Sequence, residues 1–318
     1  MLTRRKFLET STLAGCSLPF LFHKTSPPEA NRIGIIGLDT SHSQIFTKLI
    51  NEGSYDGFKV VAAYPEGSKD IPSALKLKPG VIEGVKKLGV ELVDSIEALL
   101  EKVDYVLLET NDGRPHLSQV LPVLKARKPV FIDKPIAPNM AGAQAIFKAA
   151  SDYQTPMFSS SALRFEPSVQ QVVKGTIGKV LGADVYTPAE IDKNHLDMAW
   201  YGIHGVEMLF TLMGSGCKSV SRIHEPDTDL ITGVWSDGRI GTVRGIRKGT
   251  ASIAGTAFGE KGIATLGPFS GYRPLIDEII QFFKTGKAPV TPEQTLEIFT
   301  FMQAADLSKQ AGGKRIPM

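Results

Sequence analysis

The chain has 318 residues, 42% of them hydrophobic and 22% charged, so it can bury a sizeable core and is long enough for two domains. Its formal net charge of +3 includes the basic residues of the amino terminus, and no long Lys/Arg block or aromatic-basic interleaving occurs. Nucleic acid is therefore excluded as a partner.

Residues 1–29 read as an export signal and linker. "MLTRRKFLETSTLAGCSLPFLF" pairs Arg4 with Arg5, then runs through Phe7-Leu8 into a short, small-residue apolar stretch. This resembles a twin-arginine signal, which implies a periplasmic protein exported already folded. "LAGC" also resembles a lipoprotein cleavage box, in which Cys16 would carry a lipid anchor; the alternative is that Cys16 is one small residue of the apolar stretch. Removal beyond Cys16 leaves Cys217 alone, which excludes an intramolecular disulfide and a cysteine-rich metal site. No later apolar run is long enough to span a bilayer.

After the polar, proline-bearing "TSPPEANR", apolar strands alternate with amphipathic helices. "RIGIIGL", "FKVVAAY", "DYVLLET" and "PVFID" read as strands; "SQIFTKLINEG", "VDSIEALLEKV" with Asp94 or Ser95 as cap, and "PHLSQVLPVLKAR" read as helices. This order predicts a Rossmann-like, doubly wound parallel sheet over residues 30–157, closed by the helix "NMAGAQAIFKAASDY" and a short strand in "PMFSSSA". Residues 158–290 are then strand-rich with glycine turns, including Asp237-Gly238, and predict an α/β domain with an open, mostly antiparallel sheet for substrate and oligomerisation. The helix over 291–311, with Thr291 and Gln294 in a capping-box pattern, is expected to pack back on the first domain.

In a dinucleotide fold the turn G-x-G-x-x-G follows the first strand, and its glycines permit the tight turn, close approach to pyrophosphate and helix–strand packing. "GLDTSH" puts Gly37, Asp39 and His42 in those places, so only the first glycine survives. Asp39, Thr40 and Ser41 either contact a cofactor or simply cap the following helix. "AAYPEGSKD" offers no clear acidic residue for the ribose at the end of the second strand.

"YVLLETNDGRPHLSQVLPVLKARKPVFIDKPIAP" carries Thr110, Asn111, His116 and Asp133-Lys134-Pro135; "SSSALRFEPSVQQVVKGTIGKV" carries Arg164, Pro167 and Gly178; "WYGIHGVEMLFTLMG" carries His204. Together they resemble the Gfo/Idh/MocA family of glucose-fructose oxidoreductase and inositol dehydrogenase, from about Arg32 to the carboxyl terminus. The resemblance implies NAD or NADP as cofactor, with Gly37, Asp39, Thr40, Ser41, His42, Thr110, Asn111, His116, Asp133, Lys134 and Arg164 around it. It implies Lys134 and His204 as the catalytic pair that handles the proton of a sugar hydroxyl. The family's aspartate four residues before the histidine is Trp200 here; His195 or Asp197 could stand in, and Trp200 could stack on a sugar face or be a core residue. His195, Asp197, Trp200 and His204 are thus the substrate candidates. His204 and Glu207 lie at i, i+3, but no H-E-x-x-H pattern occurs and no metal ligand is assigned.

The leading expectation is an exported oxidoreductase acting on a carbohydrate by hydride transfer, working as a homo-oligomer, with a cofactor held tightly because free nicotinamide nucleotide is scarce outside the cytoplasm. Two alternatives remain open: a carbohydrate lyase, hydrolase or isomerase without nicotinamide, with or without a metal, and a non-catalytic sugar-binding protein.

Overall fold

The computed structural model describes residues 31–318. The twin-arginine and Cys16 readings fall on residues 1–30, outside the described residues. No described helix is long and apolar enough to cross a membrane.

The first half runs β1 (Arg32–Ile36), α1 (Ser41–Glu52), β2 (Lys59–Tyr64), α2 (Pro72–Lys87), β3 (Glu91–Leu92), α3 (Ile96–Leu100), β4 (Tyr105–Leu108), α4 (His116–Lys125), β5 (Val130–Ile132), α5 (Met140–Asp152) and β6 (Met157–Ser159). Apolar runs such as "RIGII" and "YVLL" become strands covered on both faces, as parallel sheets require. The six strands pair in parallel in the order β3-β2-β1-β4-β5-β6. That order reverses between β1 and β4, which opens a crevice at their carboxyl ends. Ser95, one of the two expected caps, accepts from the Ala98 amide and starts α3. Helix α2 has no counterpart in the sequence reading, because Pro79 and Gly80 interrupt its pattern.

A 3₁₀ turn (Ala162–Phe165) and α6 (Pro167–Val173) lead into β7 (Val180–Pro188), α7 (Ile203–Met213), β8 (Cys217–Glu225), β9 (Thr228–Trp235), β10 (Ile240–Ile246), β11 (Ala254–Gly259) and β12 (Gly262–Leu266). Then come α8 (Arg273–Thr285), α9 (Pro292–Gln310) and β13 (Ile316–Pro317). The second sheet has the order β12-β11-β7-β10-β9-β8-β13 and is antiparallel apart from the β7–β10 pair. The expected turn at Asp237-Gly238 joins β9 to β10, with Gly238 at φ 85°. Alternation along β7, β9 and β10 sends Val185, Ile231 and Val243 inward, toward the buried α7 residues Val206 and Leu209.

The opposite face of this sheet is open. Register places Ile263 beside Phe258, and Ile240 beside Val234, in one row across it; Ile263 is 70% and Ile240 53% exposed.

The last two helices divide the molecule differently from the expected domain assignment. Helix α8, counted in the second domain by chain order, buries Ile276, Ile279, Phe282 and Phe283 in one cluster with Ile33, Ile35 and Phe46 of the parallel sheet and α1. Helix α9 does reach α5 of the first domain, but its principal partner is β8 of the second sheet. Its capping box forms as expected: Thr291 accepts from the Gln294 amide, and the Gln294 side chain accepts from the Thr291 amide. Cys217 is buried, and that burial pushes its thiol up to about 11, so it is an unreactive core residue.

Candidate active site

Three loops after β1, β4 and β5 meet α7 and the start of α8 around a cleft of about 240 Å³. Thr40, Ser41 and His42 come from the first loop and α1, Asn111 from the second, Lys134 from the third, and His204 from α7. Tyr201, Phe269 and Tyr272 complete the wall, none of them anticipated from the sequence. Tyr201 lies one turn before His204 in "WYGIH", which is the signal that could have found it. Tyr272 is 138 positions beyond Lys134 (272 − 134) and carried no such signal.

Gly37 is at φ 89°, and a Cβ there would lie 2.4 Å from Thr110 Oγ1. The glycine lets the β1 turn touch the end of β4, so Gly37 and Thr110 make the floor of the crevice rather than its lining. Asp39 is fully buried and does not line the cleft. Its carboxylate accepts from the Ser68 amide at 2.6 Å and the Asn111 amide at 3.1 Å, tying three loops together. A Cβ on Gly67 would lie 2.6 Å from that carboxylate. The residue replacing the second glycine therefore points into the protein, leaving the amino end of α1 accessible from the cleft beside the Thr40 and Ser41 positions.

His42, at the place of the third glycine, has its Nδ1 2.6 Å from Asp133 Oδ2 and its Nε2 2.8 Å from the Tyr272 hydroxyl. Its ring stacks on Phe46. Asp133 also accepts from the Lys134 amide at 2.8 Å, so it fixes both the imidazole and the backbone that presents Lys134. The Lys134 ammonium lies 5.6 Å from the Tyr201 ring centroid, a cation–π distance.

His204 is buried, and desolvation first, then the charges of Lys134 and His42, hold its pKa well below the usual imidazole value. It is neutral at physiological pH. The Ser161 hydroxyl lies 2.6 Å from Nδ1 and also accepts from the Leu163 amide, an arrangement satisfied when Ser161 donates to Nδ1. That leaves the proton on Nε2. Glu207, one turn along α7, accepts from the Ser161 amide, the Ser160 hydroxyl and Arg164 Nε at 2.9, 3.1 and 3.0 Å, which positions Ser161 against His204.

Several expected residues lie elsewhere. Arg164 is committed to Glu207, and its neighbour Leu163 reaches the cleft instead. His116 is fully buried, bridging the carbonyls of Thr110 and Ile136 at 2.8 and 3.0 Å, and braces the two loops without touching the cleft. Among the substrate candidates only His204 lines it. His195 accepts from the Gly113 amide and pairs with Asp192, so it is a loop brace. Asp197 faces away, pairing with Arg222 at 2.9 Å and Lys309 at 2.8 Å. Trp200 packs on Ile71 and Ala74 and against His195, the core fate of a large aromatic.

The residues present fit a dinucleotide. Gly37 makes the turn, the α1 amino terminus faces the crevice with Thr40 and Ser41, and Asn111 and Lys134 flank it. The adenosine end is less standard, since β2 ends at Tyr64-Pro65 and Glu66 is paired with Lys78. A second cleft of about 350 Å³ lies there, lined by Lys69, Asp70, Asp112 and Arg114.

Residues 31–160 match the family model GFO_IDH_MocA, described as an oxidoreductase family with an NAD-binding Rossmann fold. Inositol 2-dehydrogenase/D-chiro-inositol 3-dehydrogenase of Halalkalibacterium halodurans is 25% identical over 202 residues, 60% of this chain and 55% of that protein. The chain thus spans about half the length of the curated relative it matches. Among solved structures, a probable dehydrogenase from Thermotoga maritima superposes with a TM-score of 0.73 at 20% identity, covering 90% of this chain and 98% of that one. Scyllo-inositol dehydrogenase of Lactobacillus casei, solved with NAD(H) and scyllo-inositol, gives 0.73 at 17% identity, covering 91% and 99%. These two likenesses establish the shared fold.

Proposed function

We propose that this chain, whose residues 31–160 belong to the Gfo/Idh/MocA family of NAD-binding oxidoreductases, oxidises or reduces a sugar or sugar-like polyol with NAD or NADP. The observation that carries the reading is the convergence of Lys134, His204, Tyr201 and Tyr272 on one cleft at the carboxyl ends of β1, β4 and β5. When bound, the nicotinamide would supply the hydride chemistry. Everything else falls to this chain. Neutral His204 donates from Nε2 to the reacting oxygen of the substrate, held in that tautomer by Ser161 and, behind it, Glu207. Lys134 exchanges the hydroxyl proton, its backbone fixed by Asp133. Tyr201 and Tyr272 give the cleft apolar faces with polar tips, which suits a carbohydrate. Thr40, Ser41 and the α1 amides would hold the pyrophosphate of a bound dinucleotide, with Asn111 and Lys134 on the side of its nicotinamide ribose.

The same proposal includes export directed by Arg4-Arg5, a lipid anchor at Cys16 and pairing of two copies through the open sheet face, supported by the leader sequence and by the exposed row around Ile263 and Ile240.

The test is mass spectrometry of small molecules released from purified protein, with thermal shift on adding NAD or NADP, followed by turnover on inositols and hexoses. Lys134→Ala should lower kcat/KM by about 10²–10⁴. Protein that carries no nicotinamide nucleotide and gains no stability from either one refutes the reading.

A further inference from the structure

Behind the cleft, the side chain of Glu109 follows directly on β4 and is fully buried. Neither of its carboxyl oxygens has a hydrogen-bond partner among the described residues. Buried carboxylates are ordinarily paired or bonded to several donors, because removal from water without compensation is costly. The other acid beside it, Asp133, deepens the problem by adding a second negative charge. An imidazole nitrogen of His42, a Glu109 oxygen and an Asp133 oxygen all lie within 4.8 Å of one another. They come from three separate elements, the first turn of α1 and the ends of β4 and β5.

We propose that His42, Glu109 and Asp133 bind one divalent transition-metal ion, Zn²⁺ or Mn²⁺. One nitrogen and two carboxylates are a donor set both ions accept, and once deprotonated they carry the two negative charges that a divalent cation neutralises. Ligands about 2.0–2.2 Å from a tetrahedral ion sit within roughly 3.6 Å of each other, so the cluster closes by about 1 Å through side-chain rotation. In the metal-free arrangement Nδ1 of His42 shares a proton with Asp133, and burial with the neighbouring Asp133 charge pushes the Glu109 carboxyl well above the usual carboxylate range; on binding, both protons leave to solvent, Nδ1 and Asp133 Oδ2 turn to the ion, and Glu109 gains its missing partner. The Tyr272 hydroxyl on Nε2 then plays the outer partner that fixes ring orientation in most histidine metal sites. His42 lines the cleft, which gives the ion its entry path. The sequence offered a trace of this site, since Glu109 is a charged residue closing the apolar run "YVLL".

This site does not depend on hydride transfer and is read without nucleotide or substrate. Full-length protein is stripped with a chelator, returned to metal-free buffer and titrated with Mn²⁺, following loss of the free-ion electron paramagnetic resonance signal, and with Zn²⁺ by calorimetry. One ion per chain is expected, weakened about 100-fold or more in Glu109→Gln, which keeps the shape of the side chain. Where that variant does not fold, Co²⁺ loaded into wild-type protein supplies the readout: a visible band of low-coordinate nitrogen/oxygen type, displaced stoichiometrically by Zn²⁺, is expected. Folded wild-type protein that binds no ion at millimolar concentration overturns the proposal, leaving a buried water or proton on Glu109. Binding of equal affinity in folded Glu109→Gln overturns it too, by placing the ion elsewhere.

Discussion

Asp39→Gly restores the second glycine of the dinucleotide turn, and the structure predicts that it harms the protein without helping the cofactor. The carboxylate accepts two amide hydrogen bonds, from Ser68 and Asn111. Hydrogen bonds to a charged group contribute about 1.5–3 kcal/mol each. The Ser68 amide lies in a buried residue and loses its partner outright, whereas Asn111 is only half-buried and regains water. That leaves a cost of about 2–4 kcal/mol, with a further 0.5–1 kcal/mol for glycine's extra freedom in the unfolded chain. Urea unfolding measures the sum, and a drop in Tm of order 10 °C should accompany it. Nucleotide affinity, from calorimetry on the folded fraction, should stay the same or fall as the three loops loosen. A variant of undiminished stability that binds NAD tenfold more tightly would show that Asp39 does obstruct the pyrophosphate, and would refute the assignment.

Arg222 is fully buried between Asp229, Asp306 and Asp197, at 2.9, 2.7 and 2.9 Å. Arg222→Met should cost about 3–5 kcal/mol in denaturant unfolding because it removes the cation three carboxylates share, leaving Asp229 with Arg247 and His224, Asp197 with Lys309, and Asp306 without its ion-pair partner; a change under 1 kcal/mol would contradict that. His204 is buried with its pKa held well below the usual imidazole value, chiefly by desolvation, so at that site the folded state binds fewer protons than the unfolded one below about pH 6.5. Its stabilisation is full above that pH and is lost progressively as pH falls. Asp306, raised to about 6 by burial and Asp197, works in the opposite sense over part of the range. The clean measurement is therefore the slope difference between wild type and His204→Gln, which should be close to one histidine's worth; equal slopes would mean that His204 titrates normally. For the open sheet face, the proposed dimer should be the mass seen for wild type in light scattering after gel filtration and Ile240→Lys should reduce it to monomer; an unchanged mass would remove that face as the contact.

The parallel order of the first sheet, the capping box at Thr291, the hairpin at Asp237-Gly238 and the placing of Lys134 and His204 were legible in the sequence. Each depends on local chemistry: apolar runs of strand length, a side chain reaching three residues on, a glycine free to take positive φ, a short motif at a strand end. Helix α2 was missed for the same local reason, because Pro79 and Gly80 hide a helix that burial of Ala74, Val81 and Val85 stabilises. The status of Asp39 was not legible, since its partners Ser68 and Asn111 lie 29 and 72 residues away and their distance decides whether the carboxylate faces cofactor or core.

The substrate residues show the same division. His195, Asp197 and Trp200 shared a loop with His204, but a loop does not fix direction: Gly113, Arg222 and Ile71 claimed those three side chains, and Tyr201 and Tyr272 took the wall of the cleft instead. The sequence by itself indicated the fold and, through its family resemblance, named Lys134 and His204, both of which line the cleft. Tertiary packing decided which neighbours face the cleft and left Glu109 buried without a donor among the described residues, because both outcomes depend on contacts between segments far apart in the chain.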